Sequence, residues 1–120
     1  MNRNVVRLAV EMTVNAGQLE AFKAVARTMT EKTDSEPGTL GYEWFSSADG
    51  SRWRLLETYV DANAVLAHFT GPVVRDLVPQ LAAVCMIDRF EIYGDPGPQV
   101  TEMAAGLGSH VFSYWAGLSR

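Results

Sequence analysis

At 120 residues, 48% hydrophobic and 20% charged, the chain is long enough for one domain with its own core and too apolar for wholesale disorder. Ten basic residues stand against fourteen acidic ones, for a net charge of −4, and no two Lys or Arg residues are adjacent, which excludes a nucleic-acid footprint. The single cysteine, Cys85, excludes an intrachain disulfide and reads as a small buried hydrophobe. The N-terminal apolar stretch, broken by Arg7 and Glu11, is neither a signal peptide nor the ~20 apolar residues of a membrane span, so a cytoplasmic protein is expected.

Val5 to Val14 reads as a strand, with Val6, Leu8, Val10, Met12 and Val14 alternating with a second set of side chains. Asn15 and Gln18 have capping-box spacing for a helix that carries Leu19, Phe22, Val25, Ala26 and Met29 on one face. Pro37-Gly38 stops it. Thr39 to Phe45 is the second strand. The turn chemistry of 46–51 returns the chain as Arg52 to Val60, the antiparallel partner in a hairpin. Asp61 is a good N-cap for a helix from Ala62, which Gly71-Pro72 breaks before Val73, Val74, Leu77, Val78 and Leu81 resume an apolar face. Val84 to Tyr93 is the fourth strand. The order β-α-β-β-α-β is the ferredoxin-like arrangement of an α+β domain, a four-stranded antiparallel sheet with both helices on one face. After the break at Asp95-Pro96-Gly97-Pro98, a helix over 99–107 and a strand over 110–118 form a C-terminal arm, packed on its own sheet or on a partner. Residues 1–120 are one domain, with its core at 5–94 and the arm at 95–120.

Helices cover only one face of such a sheet. In the first strand Val5 and Ala9 lie opposite Val6, Leu8 and Val10; in the fourth, Ile87 and Tyr93 lie opposite Met86, Phe90 and Ile92. An apolar second face has to be buried, so a homodimer that closes two sheets into an α+β barrel is expected.

Alternation places Tyr42 with Trp44, and Trp53 with Leu55, Glu57 and Tyr59. Flat apolar walls with few polar groups suit an aromatic ligand, although strands favour aromatic residues for packing alone. Glu57 among Leu55, Leu56 and Tyr59 needs a partner, and His68 on the following helix is a candidate, with the small Ala64 one turn earlier leaving room beside the imidazole. Two histidines 42 residues apart, with no carboxylate spacing between them, make no metal-ligand set, and no Gly-x-Gly-x-x-Gly or P-loop run supports a nucleotide cofactor.

Glu36-Pro37-Gly38, Tyr42-Glu43 and the run Glu57, Tyr59, Asp61, Ala64, His68 together resemble the antibiotic biosynthesis monooxygenase family, over roughly residues 5–94. That resemblance implies a dimeric α+β barrel that uses no metal, flavin or haem and oxidises an electron-rich aromatic (quinol, phenol or anthrone-like) with O₂. It implies His68 as base, Glu57 as the group that holds its tautomer, and Tyr42, Trp44 and Tyr59 as ring-positioning residues; Trp53, on the same strand face as Glu57, joins them as a substrate-binding candidate. Because a phenol is a far weaker acid than imidazolium, its anion would need hydrogen bonds or a cation such as Arg54 or Arg89, unless the substrate is itself more acidic. Haem-degrading relatives of the fold use a Trp and a His ten residues apart. The matching positions here are His68 and Val78, so their proximal ligand is missing. Two other classes stay open: a non-oxidative isomerase acting on a small hydroxy-ketone, and a ligand-binding or stress-response barrel without chemistry.

Overall fold

The computed structural model describes residues 4–120, so residues 1–3 of the expected domain lie outside the description. Strand β1 (Val6–Val14) is one-sided because Val6, Leu8, Val10 and Met12 alternate, and all four are buried. Helix α1 (Leu19–Thr33) buries Phe22, Ala26, Met29 and Thr33, a stripe at spacings of three and four. The expected Asn15 cap is not used. The helix begins from Gln18 without a side-chain cap, and Asn15 instead offers its carbonyl to the Gln18 N–H.

Strands β2 (Thr39–Ser46) and β3 (Arg52–Tyr59) form the expected hairpin. Asp49 organises its turn, accepting from the Ser51 N–H and from the hydroxyls of Ser51 and Ser47. These bonds, the Ser51 N–H foremost, hold its carboxyl down at about 2. Asp61 caps helix α2 (Ala62–Phe69) as expected, its side chain accepting from the Ala64 N–H at 2.9 Å. After Gly71-Pro72 the chain makes a π-helical turn, Val73–Leu77, and then helix α3 (Val78–Ala82). Pro79 has no N–H to give the Arg75 carbonyl, which removes an α-helical bond where the wider turn lies.

The sheet order is β2-β3-β1-β4-β5, with β4 at Cys85–Tyr93. Its first four strands are antiparallel, as the ferredoxin-like order requires. The sheet nevertheless has five strands where four were expected. Helix α4 (Pro98–Ala105) is a crossover that lets β5 (His110–Phe112) join the β4 edge in parallel, with Glu91 against His110. The arm thus packs on its own sheet, and the strand expected over 110–118 lasts three residues.

A bulge corrects the expected facing of β4. Glu11 pairs with Arg89 and Met12 with Ile87, leaving Asp88 as the extra residue. Ile87 therefore packs toward the core with Cys85, Phe90 and Ile92, while Met86 turns outward and is 63% exposed. Cys85 is buried, and burial pushes its thiol up to about 11. The core fills the space between the sheet and α1, α2 and α3, and Val100 and Ala104 of α4 join it. Among the described residues no helix is long and apolar enough to cross a membrane.

Candidate active site

Glu57 and Tyr59 lie two residues apart on the core side of β3, and the hairpin register sets Tyr42 directly across from Glu57. His68 reaches the same point from the last turn of α2, where it is 2% exposed. The imidazole stands between two carboxylates. Its Nδ1 is 2.8 Å from Glu36 Oε1 and 3.1 Å from Oε2, and its Nε2 faces Glu57 Oε1 at 3.8 Å. The rings of Tyr42 and Tyr59 flank it, with centroids at 5.6 and 5.5 Å.

Glu36 comes from the turn between α1 and β2, where the Thr39 hydroxyl donates to its Oε1 at 3.1 Å. The close approach of this turn to α2 requires Gly38: a Cβ there would lie 2.6 Å from the Ala64 Cβ. Ala64 is thus small for a different reason than expected. Its methyl meets Gly38, and that fit brings Glu36 to His68.

Because a carboxylate can only accept, Nδ1 carries the proton toward Glu36, and the Nε2 lone pair faces the cavity. Burial raises the pKa of Glu57; His68 and the Tyr59 hydroxyl, which donates to Glu57 Oε1, oppose that shift. Burial, and next the adjacent Glu57, also raises both Tyr42 and Tyr59, so their hydroxyls remain donors. Thr33 Oγ1 is buried and falls short of hydrogen-bond geometry with any partner, yet it lies close enough to the Tyr42 hydroxyl to bias its titration downward. The site therefore combines a carboxyl whose pKa is raised, two phenolic donors and an imidazole.

These groups open into a partly open cavity of about 70 Å³, with walls from Val10, Met29, Phe69, Val74, Leu81 and Phe90 among others, and Tyr42, Glu57 and His68 as its polar groups. A larger open groove of about 360 Å³ runs along α1, lined by Lys23, Ala26, Arg27, Thr30, Glu31, Trp44 and Trp53. Among the described residues it contains no acid–base pair in contact, whereas Glu57 and His68 both line the smaller cavity.

The structure brings His68, Glu57, Tyr42 and Tyr59 together. Trp44 and Trp53 line the other groove, where the Trp44 Nε1 donates to Thr30 Oγ1 and the Trp53 Nε1 to the Gly50 carbonyl, each at 2.8 Å. Phe22 packs between the two indoles. Arg54 pairs with Glu11 at 3.2 Å and Arg89 with Glu91 at 2.5 Å, so neither supplies a cation to the site. Sequence reasoning read Glu36 as part of a turn motif and missed it as the partner of His68. Its place beside Pro37-Gly38 was the available signal. Among the described residues no three His, Cys, Asp or Glu side chains converge as a metal ion requires, since Glu36 and Glu57 address opposite nitrogens of one ring.

A family model described as antibiotic biosynthesis monooxygenase matches residues 5–80. No curated protein matches the chain. Among solved structures, MupZ from Pseudomonas fluorescens is similar with a TM-score of 0.85 and 24% identity, covering 98% of this chain and 95% of its own. The N63A mutant of SnoaB, a cofactor-independent oxygenase from Streptomyces nogalater, has a TM-score of 0.69 and 15% identity, covering 78% and 95%. A conserved protein from Methanosarcina mazei Go1 has a TM-score of 0.70 and 17% identity, again covering 78% and 95%. At these identities the structural likenesses show a shared fold.

Proposed function

The chain belongs to the antibiotic biosynthesis monooxygenase family, and from that premise we propose that it is a cofactor-independent monooxygenase of an electron-rich aromatic: a quinol, a phenol or an anthrone-like compound. The observation that carries this reading is the buried imidazole held at Nδ1 by Glu36, with its Nε2 turned into an apolar cavity. A base so placed removes an acidic proton from the bound ring. The resulting anion gives an electron to O₂, and recombination at carbon forms a hydroperoxide. Loss of water from it leaves a carbonyl, so O₂ supplies both oxygen atoms and no further reductant is needed.

The proton transfer sets the energetic demand. Moving a proton from a phenol near pKa 10 to a free imidazole near 6.5 costs roughly 5 kcal/mol. Hydrogen bonds from Tyr42 and from Glu57 in its acid form would stabilise the anion in this dry site, and Glu36 would stabilise the imidazolium. In this reading His68 is the base, Glu57 an acid that faces the substrate, Glu36 a positioning residue, Tyr42 a ring-positioning group, and Tyr59 the donor that holds Glu57 from behind. Trp44 and Trp53, proposed from sequence as substrate-binding residues, would meet only the part of a larger substrate that extends along the groove beside α1.

One observation favours a second reading. Glu57 and His68 are both buried with Nε2 3.8 Å from Glu57 Oε1, a carboxyl–imidazole pair that suits a non-oxidative isomerase shuttling a proton on a small hydroxy-ketone. Two assays on chelator-treated protein separate the two readings: O₂ uptake with a hydroquinone and anthrone panel, and exchange of the substrate α-proton with solvent. Uptake without added cofactor supports the oxygenase. Exchange without uptake replaces it with the isomerase. Binding of these compounds with neither signal leaves a binding barrel.

We further propose that the working unit is a homodimer. Phe45, Leu56, Met86 and Tyr93 are exposed, which is more large apolar surface than a monomer usually leaves wet.

A further inference from the structure

As it stands, the site is tight for the substrate proposed above. Its cavity measures about 70 Å³, roughly half of the ~150 Å³ of an apolar cavity that binds one benzene. A ring can enter only if part of the wall gives way. Nearly all of the wall is core: the sheet, α1, α2, α3 and the π-helical turn supply it with residues that are buried or half-buried. Leu107 is the exception. It lines the cavity and is still 44% exposed, so it stands between the site and water.

Leu107 is also held differently from its neighbours in the wall. On one side α4 is anchored by Val100 and Ala104, both fully buried; on the other, β5 is tied to β4. Between these anchors the chain is held by local turn bonds, from the Leu107 N–H to the Ala104 carbonyl at 2.9 Å and from the Gly108 N–H to the Ala105 carbonyl at 3.1 Å. Gly106 precedes Leu107, and Gly108 follows it at φ +68, a conformation that favours glycine. Leu107 can therefore swing outward without disturbing the packing of the core. The family match ends at residue 80, well before this arm begins.

We infer that the C-terminal arm completes the active site and that Leu107 is its specificity-determining gate. The side chain moves aside to admit a single ring beside His68, and its size limits what may project from that ring toward solvent. What binds there rests on the oxygenase reading; the gate itself can be tested without it.

Diethyl pyrocarbonate acylates unprotonated imidazole nitrogen, and the cavity-facing Nε2 of His68 is its target here. His110, exposed on β5, is an internal reference in the same molecule. Peptide mass spectrometry of the full chain gives the ratio of His68 to His110 modification. In Leu107→Ala that ratio should rise several-fold, and in Leu107→Trp it should fall several-fold, with unchanged melting curves. An unchanged ratio in both variants overturns the gate. Once a substrate is in hand, Leu107→Ala should also lower KM for bulkier ring substituents by about tenfold, the scale on which pocket methylenes discriminate. A ratio that moves while no phenol or quinol is oxidised upholds the gate and rejects the oxygenase. Normal turnover with an unmoved ratio rejects the gate alone.

Discussion

Two carboxylates meet one imidazole here, and their surroundings give them different work. Glu36 holds Nδ1 at 2.8 Å from a turn that is partly open to solvent, while Glu57 is buried with Tyr59 donating to it. Glu36→Gln should leave the fold intact and lower turnover by up to about 10⁴-fold, the scale found for the orienting carboxylate of a serine-protease triad. A rate loss that comes with a lowered melting temperature would make Glu36 merely structural. Glu57→Gln tests the other assignment through stability. Since folding raises the pKa of Glu57 above its ordinary 4.5, the folded state binds more protons, and stability must fall as pH rises from 4.5 through the folded value. Urea midpoints measured from pH 4 to 8 should show that fall in the wild type and a flatter profile in Glu57→Gln; parallel profiles would contradict the shift. Tyr42, Glu57 and Tyr59 were legible as candidates from strand alternation, and His68 only from the resemblance of the Glu57–His68 run to the family's pattern. Glu36 was not, because its meeting with His68 spans 32 residues and depends on how the turn packs against α2.

At the scale of elements, one small contact decides whether that meeting occurs. Gly38 and Ala64 let the turn before β2 press against α2, and Gly38→Ala would put two methyl carbons 2.6 Å apart. The overpacking should cost about 1–3 kcal/mol, pull Glu36 from His68 and reduce turnover. Adding Ala64→Gly removes the clash at about 1 kcal/mol of helix propensity, so the double variant should recover activity in part. No recovery would show that the approach is set elsewhere. The hairpin, the Asp61 cap and the break at Gly71-Pro72 could be read in advance because each has local turn or cap chemistry. The facing of Met86 and Ile87 could not: an extra Asp88 leaves no mark in the alternation until the strand is paired. The separation of Trp44 and Trp53 from the site was hidden for a related reason, since strand alternation gives the face and not the distance along it.

The molecule as a whole carries the candidate site on one face of its sheet and exposed apolar side chains on the other. Sedimentation at micromolar concentration should return twice the chain mass of 13.2 kDa; a species of 13.2 kDa would show that the outer face stays wet. The arm was legible as a helix and a strand, but its parallel pairing with β4 and its place in the cavity wall depend on tertiary contacts that its own residues do not encode locally. Turnover by the proposed oxygenase joins all of these levels, because it needs the ring admitted, the imidazole held and the base competent. The most direct measurement is O₂ uptake by metal-free wild type and His68→Ala, on an anthrone or hydroquinone that the wild type consumes. The account predicts a loss of about 10²–10⁴ in rate with an unchanged melting curve. Uptake by His68→Ala at the wild-type rate would contradict it.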